Sequence, residues 1–427
     1  MNVMFLKQRI KEGGLDEKLT ELYGAESLEK QRKRYMDACD RFETYFPEHH
    51  NVWLFSAPGR TEICGNHTDH QHGCVLAAAV DLDIIGIAAF QEENVIRVRS
   101  AGHELCVVDI GSLEPHPNEK ETSEALIRGV AAGFKQRGLK IGGFDTYMTS
   151  DVLSGSGLSS SAAFEVFIGT VLDKHYNDGK AGAIEIAKMG QTAENVYFGK
   201  KSGLMDQTVC SVGSAVFMDF EDTTNPKVTA AKCDLEANGY VLFITDTKGS
   251  HADLSDDYSA VPSEMFSVAR RLGKSHLRSA DENEFYARLP ELRRECGDRS
   301  VLRAAHFFAE NRRAGEAAKA IEANDIDTFL GIIRESGNSS ARLLQNLYAC
   351  KNPQEQGIPV ALMMSERILE GKGAARVHGG GFAGTIQAFV PKDLAEKYRR
   401  GMDDIFGAGS CKRLRIRNCG GIEIIAP

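Results

Sequence analysis

The stretch Gly155-Ser156-Gly157-Leu158-Ser159-Ser160-Ser161-Ala162-Ala163 constrains this chain more than any other. It follows a strand-like run, Phe144 to Thr149, and precedes a helical one, roughly Ala162 to His175. Two closely spaced glycines permit a tight turn and let a ligand come close to the backbone. The serines lead into a helix N-terminus, where free N–H groups and the helix dipole favour an anion. Taken alone, the pattern suits a phosphate cradle and a plain serine-capped strand–helix loop equally. Other glycine motifs fit worse. A Walker A loop needs glycine where Val268 stands ahead of Gly273-Lys274-Ser275. A dinucleotide fingerprint needs a third glycine at Ser160, and a nucleophile elbow needs one at Ser154.

Strand and helix patterns alternate around this loop. From Glu17 to Phe46 the chain is highly charged, with apolar residues at Leu19, Leu22, Tyr23, Leu28, Tyr35 and Phe42. That spacing predicts a helical extension packed on one side. Strand texture begins near Trp53 and breaks at the turn signal Ser56-Ala57-Pro58-Gly59. Val75–Phe90 and Val95–Val98 read as strands, and Glu124–Arg137 and Ala183–Phe198 as helices. Strands follow at Ala215–Phe220 and Tyr240–Thr245, then a long helical pattern from Glu264 to about Leu369. Strands return at 376–377, 385–390 and 421–425. Mixed elements with a helical block in the second half predict an α+β protein of two lobes. The expected divisions are a helical extension over 1–45, an N-terminal lobe over 46–235 and a C-terminal lobe over 236–427.

A chain of 427 residues can bury a sizeable core without metal or disulfide staples. Its net charge of −9, with no basic stripe, argues against nucleic acid as the main partner. The ten cysteines are scattered without a C-x-x-C pair and read as reduced thiols. Residues 1–14 are too charged for a secretory signal, and no run of about 18 apolar residues occurs. A cytoplasmic monomer acting on a small molecule, with no membrane or nucleic-acid partner, is the expectation.

Four further motifs surround the loop. Upstream lies Ser56-Ala57-Pro58-Gly59-Arg60-Thr61-Glu62-Ile63-Cys64-Gly65-Asn66-His67-Thr68-Asp69-His70, which resembles the galactokinase signature A-P-G-R-V-N-L-I-G-E-H-T-D-Y. Ala193-Glu194-Asn195 and Gly203-Leu204-Met205-Asp206-Gln207 resemble A-E-N and G-I-M-D-Q of the same family. His378-Gly379-Gly380-Gly381-Phe382-Ala383-Gly384-Thr385 resembles the motif T-G-G-G-F-G-G-C. Together with the loop, and in this order, they identify the chain as a member of the GHMP kinases, similar to the galactokinases. The resemblance implies a ribosomal S5 domain 2-like N-terminal lobe and a ferredoxin-like C-terminal lobe, with ATP and Mg²⁺ as cofactors.

It also implies roles. Asp206 would be the catalytic carboxylate beside a sugar's anomeric hydroxyl, with Arg60 stabilising charge on the moving phosphoryl group. Gly155, Ser156, Gly157, Leu158, Ser159, Ser160, Ser161 and Ala162 would hold ATP, and Ser161 and Glu194 the metal. Asn66, His67, Asp69, Gly203 and Tyr258 would hold the sugar, and His251 matches a family position of unclear role. The expected reaction is phosphorylation of galactose at C1.

Departures from the signature bear on the substrate. Asn66 replaces the glutamate that binds the C6 hydroxyl in galactokinases, His70 replaces a tyrosine, and Glu62 replaces an asparagine. Leu153 replaces the loop's proline, His378 a threonine and Ala383 a glycine. An amide both donates and accepts where a carboxylate only accepts, so Asn66 opens the alternative of a sugar oxidised at C6. Asp69-His70-Gln71 is also similar to the matching stretch of plant galacturonokinases. N-acetylgalactosamine or another hexose is a more distant choice. A galactose- and ATP-binding sensor is the non-enzyme alternative, disfavoured by the complete Ser159–Ala163 stretch. His67, His70 and His72 have a spacing that could bind zinc, though catalytic or structural zinc wants a fuller ligand set.

Overall fold

The computed structural model of the protein describes residues 2–152, 158–249 and 254–425. Three helices open the chain: α1 (Val3–Lys11), α2 (Asp16–Tyr23) and α3 (Leu28–Tyr45). The Asn2 side chain caps α1 by accepting from the Phe5 N–H at 2.7 Å. Each helix buries one stripe: Leu6 and Ile10, then Leu19 and Leu22, then Tyr35, Cys39 and Phe42. These stripes pack on Ile85, Ile87 and Tyr147 of the sheet beyond. The extension read from the sequence is therefore helical, and it covers one sheet face.

That sheet is built from β1 (Trp53–Cys64), β2 (Cys74–Gln91), β3 (Val95–Ser100) and β4 (Leu105–Asp109). After α4 (Ser123–Gln136) come β5 (Gly143–Ser150), α5 (Ser160–Asn177), α6 (Gly182–Thr192) and α7 (Met205–Val212). The chain continues through β6 (Ala215–Asp219), β7 (Lys227–Ala231) and β8 (Tyr240–Asp246). Helices α8 (Ser255–Arg271), α9 (Glu282–Ala287), α10 (Leu289–Cys296), α11 (Asp298–Glu322), α12 (Ile326–Ser339) and α13 (Gly357–Leu369) follow. The last elements are β9 (Ala374–Val377), β10 (Thr385–Pro391), α14 (Ala395–Phe406), β11 (Cys411–Leu414) and β12 (Ile422–Ile425).

The first sheet runs β12-β1-β2-β5-β3-β4, with β6 and β7 joined to the first half of β2. Only β3 and β5 pair in parallel among these strands. The second sheet, β11-β8-β10-β9, is antiparallel throughout. Helix α5 packs against β1 on the face opposite the N-terminal helices, burying Val166, Phe167 and Val171 against Phe55 and Phe144. Among the described residues no helix is long and apolar enough to cross a membrane.

Several particulars differ from the sequence reading, the first being that β1 runs unbroken through the turn expected at 56–59. The helical block begins at Ser255, nine residues early, because α8 runs through Pro262. Pro262 removes the N–H donor that would face the Tyr258 carbonyl, yet the helix continues past it to Arg271. Next, the helix over 183–198 changes at Ala193, and Ala193–Phe198 form a π turn. Helix α4 crosses it so closely that a Cβ on Gly129 would lie 2.6 Å from the Ala193 Cα. Finally, β12 crosses the division expected at 235/236 and pairs with β1 of the first sheet. The buried Asp83 anchors this return. It accepts from Arg34 at 2.7 Å, from Arg417 at 2.9 Å and from the Tyr23 hydroxyl at 2.6 Å. Burial alone would lift this carboxyl, but the two guanidiniums outweigh it and hold it below the ordinary value.

Candidate active site

Strand β1 carries Arg60 against the segment that follows β5. The Arg60 N–H donates to the Leu158 carbonyl at 3.1 Å. A Cβ on Gly59 would stand 2.8 Å from that same oxygen, so glycine permits the approach. The first turn of α7 presents Asp206. Arg60 Nε and Nη2 donate to Asp206 Oδ1 and Oδ2, each at 2.6 Å, a two-pronged charge-assisted pair. Ser159, at a left-handed φ of 60°, donates its hydroxyl to Asp206 Oδ2. Burial pushes the Asp206 carboxyl up, but Arg60 and then Ser159 overcome it and hold the group below its usual range. The same pairing keeps Arg60 charged despite its burial.

At the second residue of α5, Ser161 Oγ donates to Glu194 Oε1 at 3.2 Å. Lys200 Nζ reaches the same oxygen at 2.9 Å. Gln207 Nε2 bridges two acids, donating to Glu194 Oε2 at 3.0 Å and Glu165 Oε2 at 2.9 Å. Glu165 is fully buried, and burial followed by the neighbouring Glu194 charge pushes its carboxyl far up. The sequence reading missed Glu165. Its signal was one glutamate inside the otherwise apolar run Ala162–Leu172. Leu158 and Ala162 are buried beneath this turn. Gly155, Ser156 and Gly157 lie outside the described residues, as does His251.

Next to Ser160 and Ser161 opens a cavity of about 280 Å³, walled by Val98, Leu126, Met148 and Phe164. It is largely apolar and borders a helix N-terminus, which suits a planar base whose phosphates lie on the serines. These walls come from β3, α4, β5 and α5, so no local motif marks them.

On the other side of Asp206 a second cavity, of about 360 Å³, is lined by Arg60, Asn66, His67, Asp69, Gly203, Asp206 and Tyr258. Every residue expected to face the sugar thus borders one space. His67 Nε2 donates to the Gly380 carbonyl at 3.0 Å. Burial lifts the Asp69 carboxyl above its ordinary value against the pull of His67. The Tyr258 hydroxyl donates to the Gly381 carbonyl at 2.8 Å, and its ring lies where a Cβ on Gly380 would be. Gly381 has φ +79°, and a Cβ there would sit 2.1 Å from the Asn346 carbonyl. Gly380 and Gly381 are therefore steric requirements of this wall.

Asn66 is 1% exposed, and its amide is engaged on three sides. Nδ2 donates to Glu62 Oε1 at 2.9 Å and to the Gly379 carbonyl at 2.6 Å, while Oδ1 accepts from Asn346 at 2.8 Å. Both amide hydrogens are spoken for, leaving only an oxygen lone pair for a ligand. His378 is also buried, between Thr61 and Thr385, and burial holds its imidazole neutral with a pKa lowered to about 3. The three histidines of the zinc alternative do not converge. His72 stacks on His276 at 3.6 Å, and His70 is half-buried, with both ring nitrogens covered and unpartnered. Among the described residues the one group of three potential ligands is Glu48, His49 and Asp145, elsewhere in the fold.

Residues 125–214 match the family described as GHMP kinases N terminal domain, and residues 40–90 match the galactokinase galactose-binding signature. A galactokinase of Streptomyces coelicolor is 29% identical over 381 residues, spanning 88% of this chain and 94% of that protein. The structure of Lactococcus lactis galactokinase complexed with galactose superposes with a TM-score of 0.75 at 24% identity, covering 90% of this chain and 98% of the other. Methanococcus jannaschii mevalonate kinase superposes with a TM-score of 0.61 at 14% identity, covering 87% and 99% respectively.

Proposed function

This chain is a galactokinase homologue with the GHMP kinase fold, and from that premise we propose that it transfers the γ-phosphoryl group of ATP to the C1 hydroxyl of galactose. The products are galactose 1-phosphate and ADP. The observation that carries this reading is Asp206, held by Arg60 on one side and by Ser159 of the anion-binding segment on the other, where it borders the second cavity.

The chemistry follows from that placement. The bond from the C1 oxygen to phosphorus forms as the bond to the β-phosphate oxygen breaks, and the electron pair leaves on ADP. The hydroxyl proton passes to the Asp206 carboxylate. A carboxylate held below its usual pKa is a weak base, which suits a loose transition state in which the proton moves late. Arg60 stays charged and faces the same space, so it stabilises negative charge without reorganising. Ser161 and Glu194, two hard oxygen donors already in contact, fit Mg²⁺ and would hold it. The ion, when bound, would spread the phosphate charge. The cavity beside Ser160 would take the adenine ring, and His67, Asp69 and Tyr258 would hold the sugar.

A substrate panel of galactose, galacturonate, N-acetylgalactosamine, arabinose and homoserine, read by ADP release and ³¹P NMR of the product, tests the reading. Galactose is expected to give the highest kcat/KM and a 1-phosphate. Turnover of none of the sugars would refute it.

A further inference from the structure

Two residues beyond Arg60 on β1, on the same side of the strand, Glu62 also lines the second cavity. It is 8% exposed. Its Oε1 accepts from Asn66 Nδ2 at 2.9 Å and from Arg376 Nη2 at 3.3 Å. Arg376, wholly buried, is fixed in turn by the Ile63 carbonyl at 2.7 Å. Glu62 Oε2 has no hydrogen-bond partner among the described residues. This oxygen is not sealed from solvent but faces the cavity, so a bound ligand meets it as an acceptor that water otherwise fills.

The positions of this pair carry a second observation. The galactokinase signature has asparagine where Glu62 stands and glutamate where Asn66 stands. Acid and amide have been exchanged, and the structure joins the two by one hydrogen bond. The carboxylate has moved to the adjoining residue of the same wall and has not been lost.

We propose that Glu62 is the specificity-determining residue of this sugar site: its free oxygen accepts from a sugar hydroxyl, and its charge excludes sugars bearing a carboxylate. This rests on the sugar-kinase reading above. The cavity wall then holds Glu62, Asp69 and Asp206 against the single lining guanidinium of Arg60, with Arg376 behind. A sugar carboxylate would enter beside like charges, which specificity commonly exploits. The amide of Asn66, which taken alone would admit galacturonate, instead orients Glu62.

The test uses the full-length chain, with Glu62→Gln and the exchange Glu62→Asn/Asn66→Glu. Glu62→Gln is expected to raise the galactose KM about tenfold with kcat within about threefold, the size of one hydrogen bond to a charged group. Its galacturonate-to-galactose ratio of kcat/KM should rise at least about tenfold, with the KM for ATP unchanged. The exchange should return the galactose KM to within about threefold of the parent, since it restores one carboxylate and one amide to the same wall. A galactose KM within about twofold of the parent in Glu62→Gln, with an unaltered sugar ratio, overturns the proposal. Parallel loss of ATP and galactose affinity in both variants overturns it too, by showing a structural role. A parent enzyme inactive on every sugar overturns the sugar-kinase reading itself, which separates the two failures.

Discussion

Replacing Asp206 by asparagine removes one charge and one acceptor with almost no change of shape. In the parent, Oδ2 accepts from Arg60 Nη2 at 2.6 Å and from Ser159, while Oδ1 accepts from Arg60 Nε at 2.6 Å. The amide keeps one acceptor and places an NH₂ against two donors, so at least one charge-assisted bond is lost, about 1.5–3 kcal/mol. Leaving a fully buried guanidinium unpaired costs about 3–5 kcal/mol, but Arg60 borders a cavity and water offsets part of that. A stability loss of about 2–3 kcal/mol is the balance. Loss of the proton acceptor should lower kcat by about 10²–10⁴-fold. Nucleotide affinity should move in the other direction or not at all, because removing a negative charge cannot weaken an anion's binding electrostatically. ADP release measures kcat, and calorimetric titration with a non-hydrolysable ATP analogue measures affinity. A kcat within tenfold of the parent, or a collapse of nucleotide affinity alongside kcat, would refute the assignment of this carboxylate.

Other consequences are equally measurable. Arg60→Gln leaves burial as the main influence on Asp206, whose pKa then rises. The carboxylate is the working form, so the acid limb of the kcat–pH profile should shift upward, and an unmoved limb would count against the pairing. Glu194→Gln should raise the Mg²⁺ concentration for half-maximal activity about tenfold or more while leaving the galactose KM near the parent value; an unchanged Mg²⁺ dependence would remove Glu194 from the metal site. Gly381→Ala places a Cβ against the Asn346 carbonyl at a left-handed backbone position. It should destabilise by about 2 kcal/mol or more in urea unfolding, and a stability equal to the parent would show that this wall yields.

Local chemistry made much of this protein legible. The stripes of α1–α3 follow the helical period, and their burial follows from it. Arg60, Ser159, Ser161, Glu194 and Asp206 were singled out through the resemblance of short motifs to those of a kinase family. The sequence led to the expectation of one cleft; in the fold Arg60 and Asp206 line one cavity, Ser161 lines another, and Ser159 and Glu194 are hydrogen-bonded to Asp206 and Ser161.

Other features had no local record. The π turn at Ala193 depends on α4 crossing at Gly129. The raised carboxyl of Glu165 depends on burial and on Glu194, and the base-sized cavity is walled from four elements. Read by itself, the order of residues determined which side chains could do chemistry. Tertiary structure decided which of them are charged, paired or already engaged. Glu62 and Asn66 show why: the Arg376 and Asn346 that settle their hydrogen bonds lie some three hundred residues away along the chain. Spacing encodes geometry only over a few residues, while desolvation and ion pairing depend on whatever the fold brings near.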